Sequence, residues 1–286
     1  MSLSVADMEF RTAPAVIEAV TSAAKHGSYG YTEVFDDFYQ AAVSWQRHRH
    51  QWHVDAVDVH FFPRIVQCVA ALVNDILPGR LLRKPVVVSL VPAYGPILEV
   101  VELSGAELIR IPIKAKVTDG EISHSFDPIE LDAALSRADL LIWCNPHNPT
   151  GRVWTTQELT TIAESAVQHN VLVLSDDIHA DFTRIDRTPY TPLALAYPQL
   201  WDNEQLIQCA SPGKTFTTAG LEASAVFAPG QLGTDLEKAK RKAGLHNPNY
   251  FAIPATIAAW NQGSDWVDAL QKYIEANLQL ALKILH

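Results

Sequence analysis

The feature that most constrains the fold is a series of short apolar runs that alternate with helical patterns. Six runs are rich in Val, Ile, Leu and Ala, at residues 86–90, 108–112, 140–144, 171–175, 205–209 and 223–227. Strands that are buried on both faces have this near-continuous apolar character, which is typical of parallel sheets. Helical patterns between several runs, at 127–136 and 156–169, complete a β–α–β series. The sequence therefore predicts an α/β fold with a mostly parallel, helix-covered sheet.

Helices are predicted on both sides of this region. Residues 14–25 and 35–50 have helical patterns, and a Gly/Tyr-rich loop with Tyr29 and Tyr31 joins them. Three further helices are predicted at 236–243, 253–262 and 264–285. We expect the two tyrosine rings to be buried somewhere, because the loop around them is too polar and glycine-rich to be core.

Charge and cysteine content exclude several classes of protein. The chain has 22 Lys and Arg against 32 Asp and Glu, a net charge of −10, which argues against a nucleic-acid binder. No apolar run reaches the length of a membrane span, and the N-terminus lacks the pattern of a signal peptide. Cys68, Cys144 and Cys209 are too widely spaced for a disulfide framework or a cysteine-rich zinc site. We therefore expect a cytoplasmic protein with no metal.

Polar and aromatic residues follow four of the predicted strands. Asn148, Asp176, Lys214 and Tyr94 each come shortly after a strand end, where ligands bind in open α/β sheets. Each has an ordinary explanation when taken alone: a proline-rich turn, a helix cap, a solvated lysine and a ring at the rim of the core. Together they offer an amide, a carboxylate, an amine and an aromatic face to one ligand.

Pyridoxal 5′-phosphate (PLP) needs this combination. Its aldehyde reacts with a lysine amine, and its pyridine nitrogen needs a buried carboxylate partner to stay protonated. Its phenolate oxygen needs a donor, its ring needs an apolar or aromatic face, and its phosphate needs several donors. A nucleotide-binding domain is a poor alternative, because the chain has neither GxGxxG nor a P-loop.

Three motifs resemble those of fold-type I PLP enzymes of the class I/II aminotransferase superfamily. They lie at residues 145–151 (NPHNPTG), 175–179 (SDDIH) and 211–221 (SPGKTFTTAGL). Residues 5–10 (VADMEF), 30–32 (GYT) and 144–153 (CNPHNPTGRV) are similar to the C–S β-lyase branch. That branch contains cystathionine β-lyases and proteins of the maltose-regulon modulator type. The likeness spans nearly the whole chain in matching order.

The resemblance implies a role for each matched residue in the ring-binding part of the site. Lys214 would form the internal aldimine, and Asp176 would pair with the pyridinium nitrogen. Asn148 would donate to the phenolate oxygen, with His179 beside it. Tyr94 would stack on the ring.

The resemblance also implies contacts at the phosphate and at the substrate entrance. Ser211 and the turn containing Ile65 and Val66 would contact the phosphate. Tyr31 would reach the phosphate of a neighbouring subunit, because the sites of this family lie at the interface of a homodimer. The substrate would be a small amino acid, and its entrance would lie near two N-terminal residues, Ala6 and Asp7.

Three departures from the family pattern matter. Arg64 stands where a glycine is expected in the phosphate turn. It either blocks the approach of the phosphate or supplies a guanidinium to it, and we favour obstruction because a backbone cradle depends on a missing side chain. Glu222 stands where many aminotransferases have an arginine, which favours the lyase branch. No arginine follows Arg241, so the arginine that grips the substrate carboxylate in the family has no candidate here.

These features predict a division of the chain and an activity. We expect an N-terminal arm and helix at 1–25, a large PLP-binding domain at 26–245, and a helical segment at 246–286 leading to a small domain that is absent. The expected reaction is α,β-elimination from cystathionine- or cysteine-type amino acids to a thiol, pyruvate and ammonia. One alternative is transamination. Another is a catalytically weak homologue with a binding or regulatory role, and without the missing arginine we expect poor turnover.

Overall fold

A seven-stranded sheet runs through the centre of the computed structural model, which describes residues 6–118, 120–185 and 187–285. Nine strands are present in these ranges: β1 Val59–Phe62, β2 Val86–Val91, β3 Glu107–Pro112, β4 Lys114–Thr118, β5 Glu121–Ser125, β6 Leu140–Cys144, β7 Leu172–Asp176, β8 Leu206–Ala210 and β9 Ser224–Phe227. The large sheet has the order β1-β9-β8-β7-β6-β2-β3, and β4 and β5 form a separate hairpin.

The strand directions confirm the predicted α/β fold with a mostly parallel sheet. Strands β3, β2, β6, β7 and β8 run parallel to one another, and β9 runs antiparallel to its two neighbours, β8 and β1. The register pairs Cys144 with Asp176 and Asp176 with Cys209. The carboxyl ends of β6, β7 and β8 therefore lie level with one another, and the loops that follow them open on the same edge of the sheet.

Helices cover both faces of the sheet. They are α1 Pro14–His26, α2 Asp36–His50, α3 Ile65–Ala71, α4 Leu77–Arg80, α5 Gly95–Leu103, α6 Pro128–Leu135, α7 Thr156–Gln168, α8 Leu193–Ala196, α9 Gln199–Asp202, α10 Pro212–Thr215, α11 Gly230–Lys242, α12 Ala252–Gln262 and α13 Ser264–Leu285. A π-helical segment, Leu72–Ile76, joins α3 to α4, and the 3₁₀ turns Ala56–Asp58 and Ala219–Leu221 precede β1 and β9.

The start of α7 shows how local sequence sets a helix boundary. The Thr155 hydroxyl accepts a hydrogen bond from the N–H of Glu158, and the Glu158 carboxylate accepts one from the N–H of Thr155. This reciprocal cap satisfies two backbone donors that the first turn leaves without partners.

The hydrophobic core forms two layers, one on each face of the sheet. Alternate residues of β6 contribute to each, with Leu141 and Trp143 in one layer and Leu140 and Ile142 in the other. The prediction of strands buried on both faces is correct for the central strands but wrong for β3. That strand lies at the edge of the sheet, and Ile111 is its one buried residue.

Two further features bear on the sequence predictions. The VADMEF motif begins at Val5, which with residues 1–4 lies outside the described part of the chain. No helix within the described ranges is both long and apolar enough to cross a membrane.

Candidate active site

A cavity of about 640 Å³ opens at the carboxyl ends of β2, β6, β7 and β8. It gathers most of the residues that the sequence analysis selected: Ala6, Ile65, Val66, Tyr94, Asn148, Asp176, His179, Ser211 and Lys214 all line it. These residues come from six separate segments of the chain. The parallel strands bring them together because their carboxyl ends share one edge of the sheet.

Lys214 lies in the single-turn helix α10, directly after β8. Its side chain is 23% exposed. Its Nζ atom donates a hydrogen bond of 2.9 Å to the carbonyl oxygen of Ala6 and lies 3.4 Å from an Asp7 carboxylate oxygen. The amine is therefore at the cavity and is held by the N-terminal segment, which places Asp7 at the site although it is absent from the cavity wall.

Asp176 ends β7 and is 5% exposed. Its carboxylate accepts one hydrogen bond, from the N–H of Ile178 at 3.4 Å, and no cationic side chain pairs with it among the described residues. Burial raises its pKa from 3.8 to about 6. A carboxylate that is desolvated yet faces an open cavity is suited to receive a cationic N–H from a ligand.

His179 and Asn148 lie on the same cavity wall. The Nε2 atom of His179 is buried and has no hydrogen-bond partner in the described structure. Burial, together with the charge of Lys214, lowers the pKa of His179 to about 4, so its ring is neutral at pH 7. Asn148 follows β6, and its N–H donates to the Sγ atom of Cys144 at 3.4 Å. Its side-chain amide forms no hydrogen bond within the described ranges, so it remains available to a ligand.

These observations fit PLP at the aldehyde and pyridine ends. An amine at Lys214, a buried carboxylate at Asp176 without a cationic partner, and an unpartnered imidazole at His179 meet the demands of that cofactor. Tyr94, at the N-terminus of α5, lines the cavity and remains half exposed, so its ring is free to cover a ligand.

The end of the cavity near α3 offers further donors. The first-turn N–H groups of Ile65 and Val66 donate to no acceptor in the described part of the chain. The Ser211 hydroxyl is already engaged, since it donates to the carbonyl oxygen of Ala223 at 2.7 Å and accepts from the N–H of Gly213 at 3.1 Å. The Ser211 hydroxyl would have to break its hydrogen bond to Ala223 before it could donate to a phosphate.

Three other residues line this end, of which the sequence analysis discussed Arg64 and Glu222 but did not select Thr218. The Oγ1 atom of Thr218 is buried without a partner among described residues, and Thr218 lines the cavity. Arg64 and Glu222 also line it and form an ion pair with each other. The pairing joins two positions that both depart from the family pattern, and only the folded chain reveals that they are in contact.

A buried polar layer lies behind the cavity. Thr215, next to Lys214, donates to an Asp181 carboxylate oxygen at 2.7 Å, and the other oxygen lies 3.2 Å from Nε2 of His50 on α2. Although burial alone would raise the pKa of Asp181, the hydrogen bonds from His50 and Thr215 lower it. This contact ties the helix that carries the lysine to α2, and no local sequence pattern indicates it.

Asp177 anchors a second part of this layer. It accepts hydrogen bonds from the hydroxyls of Ser175 at 2.7 Å and Tyr190 at 2.8 Å. Burial raises its pKa to about 8. Two adjacent carboxyls therefore point to different surroundings: Asp176 toward the cavity and Asp177 toward satisfied partners in the interior.

The Gly/Tyr-rich loop does not reach this cavity. The expected burial of Tyr29 is not found within the chain, since Tyr29 is 56% exposed, although its ring contacts Tyr250 and Phe251 at centroid distances of 5.2 and 5.7 Å. Tyr31 is fully exposed. Within the described ranges no cluster of three or more His, Cys, Asp or Glu side chains is arranged to hold a metal.

Comparisons with known proteins identify the family to which the chain is similar. Residues 1–286 match the family Aminotransferase class I and II. Cystathionine beta-lyase PatB of Bacillus subtilis (strain 168) is 34% identical over 280 residues, which covers 97% of this chain and 70% of that protein. The PLP-bound C-S lyase of Staphylococcus hominis superposes with a TM-score of 0.87 at 28% identity, covering 98% and 69%. Cystalysin of Treponema denticola, which contains PLP, superposes with a TM-score of 0.87 at 26% identity, covering 98% and 69%.

Proposed function

The chain belongs to the class I and II aminotransferase family, whose compared members contain PLP, and we propose that it is a PLP-dependent carbon–sulfur lyase. The observation that carries the proposal is the Lys214 amine in one cavity with the uncompensated carboxylate of Asp176. The similarity to a cystathionine beta-lyase along 97% of the chain supports the reaction class. The substrate is a cystathionine- or cysteine-type amino acid, and the products are a thiol, pyruvate and ammonia.

Lys214 has two tasks in this reaction. When bound, PLP supplies an electron sink for the electron pair that remains on the substrate α-carbon after its proton leaves. The Nζ atom of Lys214 would hold the cofactor, and once released it would take the substrate α-proton as a general base. Its present contacts with Ala6 and Asp7 keep this atom at the cavity wall.

Asp176 keeps a proton on the ring nitrogen of the cofactor. Burial raises its pKa to about 6, and a cationic N–H beside it would lower that pKa and hold the carboxylate charged. The amide of Asn148 is placed to donate to the phenolate oxygen, and the neutral ring of His179 lies on the same wall. Tyr94 covers the ring and excludes water from one side.

Transamination is the second candidate, because the matched family is named for that reaction. The two reactions share the loss of the α-proton and differ in its destination. In elimination the substrate would lose its β-thiolate, whereas in transamination the thiolate would stay and the Lys214 amine would pass the proton to the cofactor. Glu222 favours elimination, since it places an anion where many aminotransferases of the family have an arginine.

The test compares two assays on the PLP-saturated chain. Release of pyruvate from cystathionine without added keto acid is expected, with Lys214→Ala as the inactive control. Exchange of amino groups between an amino acid and a keto acid, without pyruvate release, would assign transamination instead. A chain that stays colourless with PLP and catalyses neither reaction would refute both candidates.

A homodimer and a cytoplasmic location complete the proposal. The full exposure of Tyr31 supports a dimer in which this ring reaches the cavity of the partner subunit. The three free cysteines support a reducing compartment. The division of the chain at residues 25 and 245 remains part of the same proposal.

A further inference from the structure

We propose that Arg64 anchors the cofactor phosphate, and that Glu222 holds the Arg64 guanidinium at the rim of the cavity until the phosphate displaces it. The proposal rests on the function proposed above, because it concerns the phosphate end of the same site. It replaces the expectation that Arg64 obstructs this end.

The backbone at position 64 does not require glycine. Arg64 has φ −143° and ψ 150°, an extended conformation that any residue adopts without strain. Its own N–H is satisfied by the side-chain oxygen of Gln67 at 3.0 Å. A glycine at this position would therefore be favoured only if the side chain took up space that the phosphate needs.

The Arg64 side chain is 59% exposed and pairs with Glu222, and both residues line the cavity. The N–H groups of Ile65 and Val66 have no acceptors in the described structure, and these two residues also line the cavity. A guanidinium at the rim and free N–H groups below it form one set of donors for an anion.

The electrostatics favour exchange of Glu222 for a phosphate. A phosphate monoester carries about −1.5 to −2 charges at pH 7 and offers three acceptor oxygens, whereas Glu222 carries one negative charge. Glu222 is 39% exposed, so its carboxylate regains water when it releases the arginine. A guanidinium can then bind the phosphate through two parallel hydrogen bonds, which is its strongest geometry.

Two hydroxyls at this end support the assignment. Ser211 is engaged by Ala223 and Gly213, so it cannot be the main donor without losing a partner. Thr218 has a buried hydroxyl without a partner in the described ranges and begins the short 3₁₀ turn that Glu222 ends. An unsatisfied donor on the same wall as the Arg64–Glu222 pair indicates that this wall is built for an anionic ligand.

The experiment compares PLP with pyridoxal, which lacks the phosphate. Each is titrated into the cofactor-free full chain, and the visible absorption of the bound cofactor gives two dissociation constants. Arg64→Met keeps the length of the side chain without its charge and is expected to weaken PLP binding about 10- to 100-fold. Pyridoxal affinity should stay unchanged, which also shows that the variant is folded.

Three further variants sharpen the result. Arg64→Gly should weaken PLP binding as Arg64→Met does, whereas obstruction predicts that it tightens. Glu222→Gln removes the competing carboxylate and should tighten PLP but not pyridoxal. Arg110→Met is the matched control, since Arg110 forms a similarly exposed pair with Glu102 and should change neither constant.

The outcomes separate this proposal from the function on which it rests. If the wild-type chain binds PLP and Arg64→Met binds it equally well or more tightly, the role of Arg64 is refuted and the lyase proposal stands. If the wild-type chain binds neither compound, both proposals fail.

Discussion

The Nζ atom of Lys214 lies 2.9 Å from the carbonyl oxygen of Ala6, so residues separated by 208 positions in the sequence meet at the cavity. The N-terminal segment thus covers the amine that is proposed to hold the cofactor. Any group that binds Lys214 covalently has to replace this contact. The N-terminal segment is therefore expected to lose its hydrogen bond to Lys214 when PLP binds.

The covalent attachment of PLP should occur at Lys214 alone. Its amine is at the cavity, whereas Lys238 is 71% exposed on α11 and pairs with Asp235. Borohydride reduction followed by peptide mass mapping should find the label on the peptide that contains Lys214, and Lys214→Ala should abolish it. A label on Lys238 would refute the assignment.

Asp176→Asn should stabilise the cofactor-free chain while it removes function. The pKa of Asp176 is raised from 3.8 to about 6, so the folded chain loses stability as the pH rises from about 4 through about 6. We expect the variant to have a free energy of unfolding about 1–3 kcal/mol higher than the wild type at about pH 8, with no gain at about pH 4. Urea denaturation at both pH values measures this.

The same variant should lose most pyruvate release, because an amide cannot keep a proton on the ring nitrogen. Equal stability of the two chains at about pH 8 would show that the carboxylate already has a partner in the cofactor-free state.

Thr215→Val should destabilise the chain by about 1–3 kcal/mol, because it removes a hydrogen bond to the buried carboxylate of Asp181. Thr215→Ser retains the donor and serves as the matched control. Chemical denaturation at pH 7 compares the two. A valine variant that is as stable as the wild type would contradict the role of this hydrogen bond.

Glu237 should make the free energy of unfolding depend on pH in the acidic range. Burial alone would raise its pKa, but hydrogen bonds from His60 and Lys240 lower it to about 2. The resulting stabilisation is present above the ordinary pKa of 4.5 and is lost as the pH falls toward 2. Glu237→Gln should cost about 1–3 kcal/mol at pH 7, and this difference should shrink between about pH 5 and pH 3. A difference independent of pH would contradict the assignment.

Tyr31 should act in the dimer rather than in its own subunit. Its ring is fully exposed and remote from the cavity wall. We expect light scattering to give a dimer, and Tyr31→Ala to weaken PLP binding. Tyr29→Ala is the control, because Tyr29 already packs on Tyr250 within the chain. A wild-type chain that remains monomeric at high concentration would count against this role.

The sequence predicted the central strands and the residues that follow them because both signals are local. An apolar run followed by Asn148, Asp176 or Lys214 can be found without knowing what lies beside it. Strand β1 was missed because it is only four residues long and His60 interrupts its apolar pattern. The β4–β5 hairpin was missed because both strands are exposed and lack an apolar face.

The rest of the site depends on contacts between distant positions. Arg64 and Glu222 are 158 residues apart, so their pairing follows from the sheet order and not from either local sequence. The unpartnered state of Thr218 likewise becomes visible only when every neighbour has been placed. The sequence thus predicts which residues follow the strands, whereas the partners of each side chain depend on the complete fold.

The assembly of the cavity from segments far apart in the sequence has a consequence for synthesis. Asp7 is synthesised 207 positions before Lys214. A nascent chain therefore contains Asp176 and Asn148 before it contains the amine that could retain a cofactor. Since a ligand stabilises only the state that binds it, PLP would favour chains that already contain Lys214 over shorter ones.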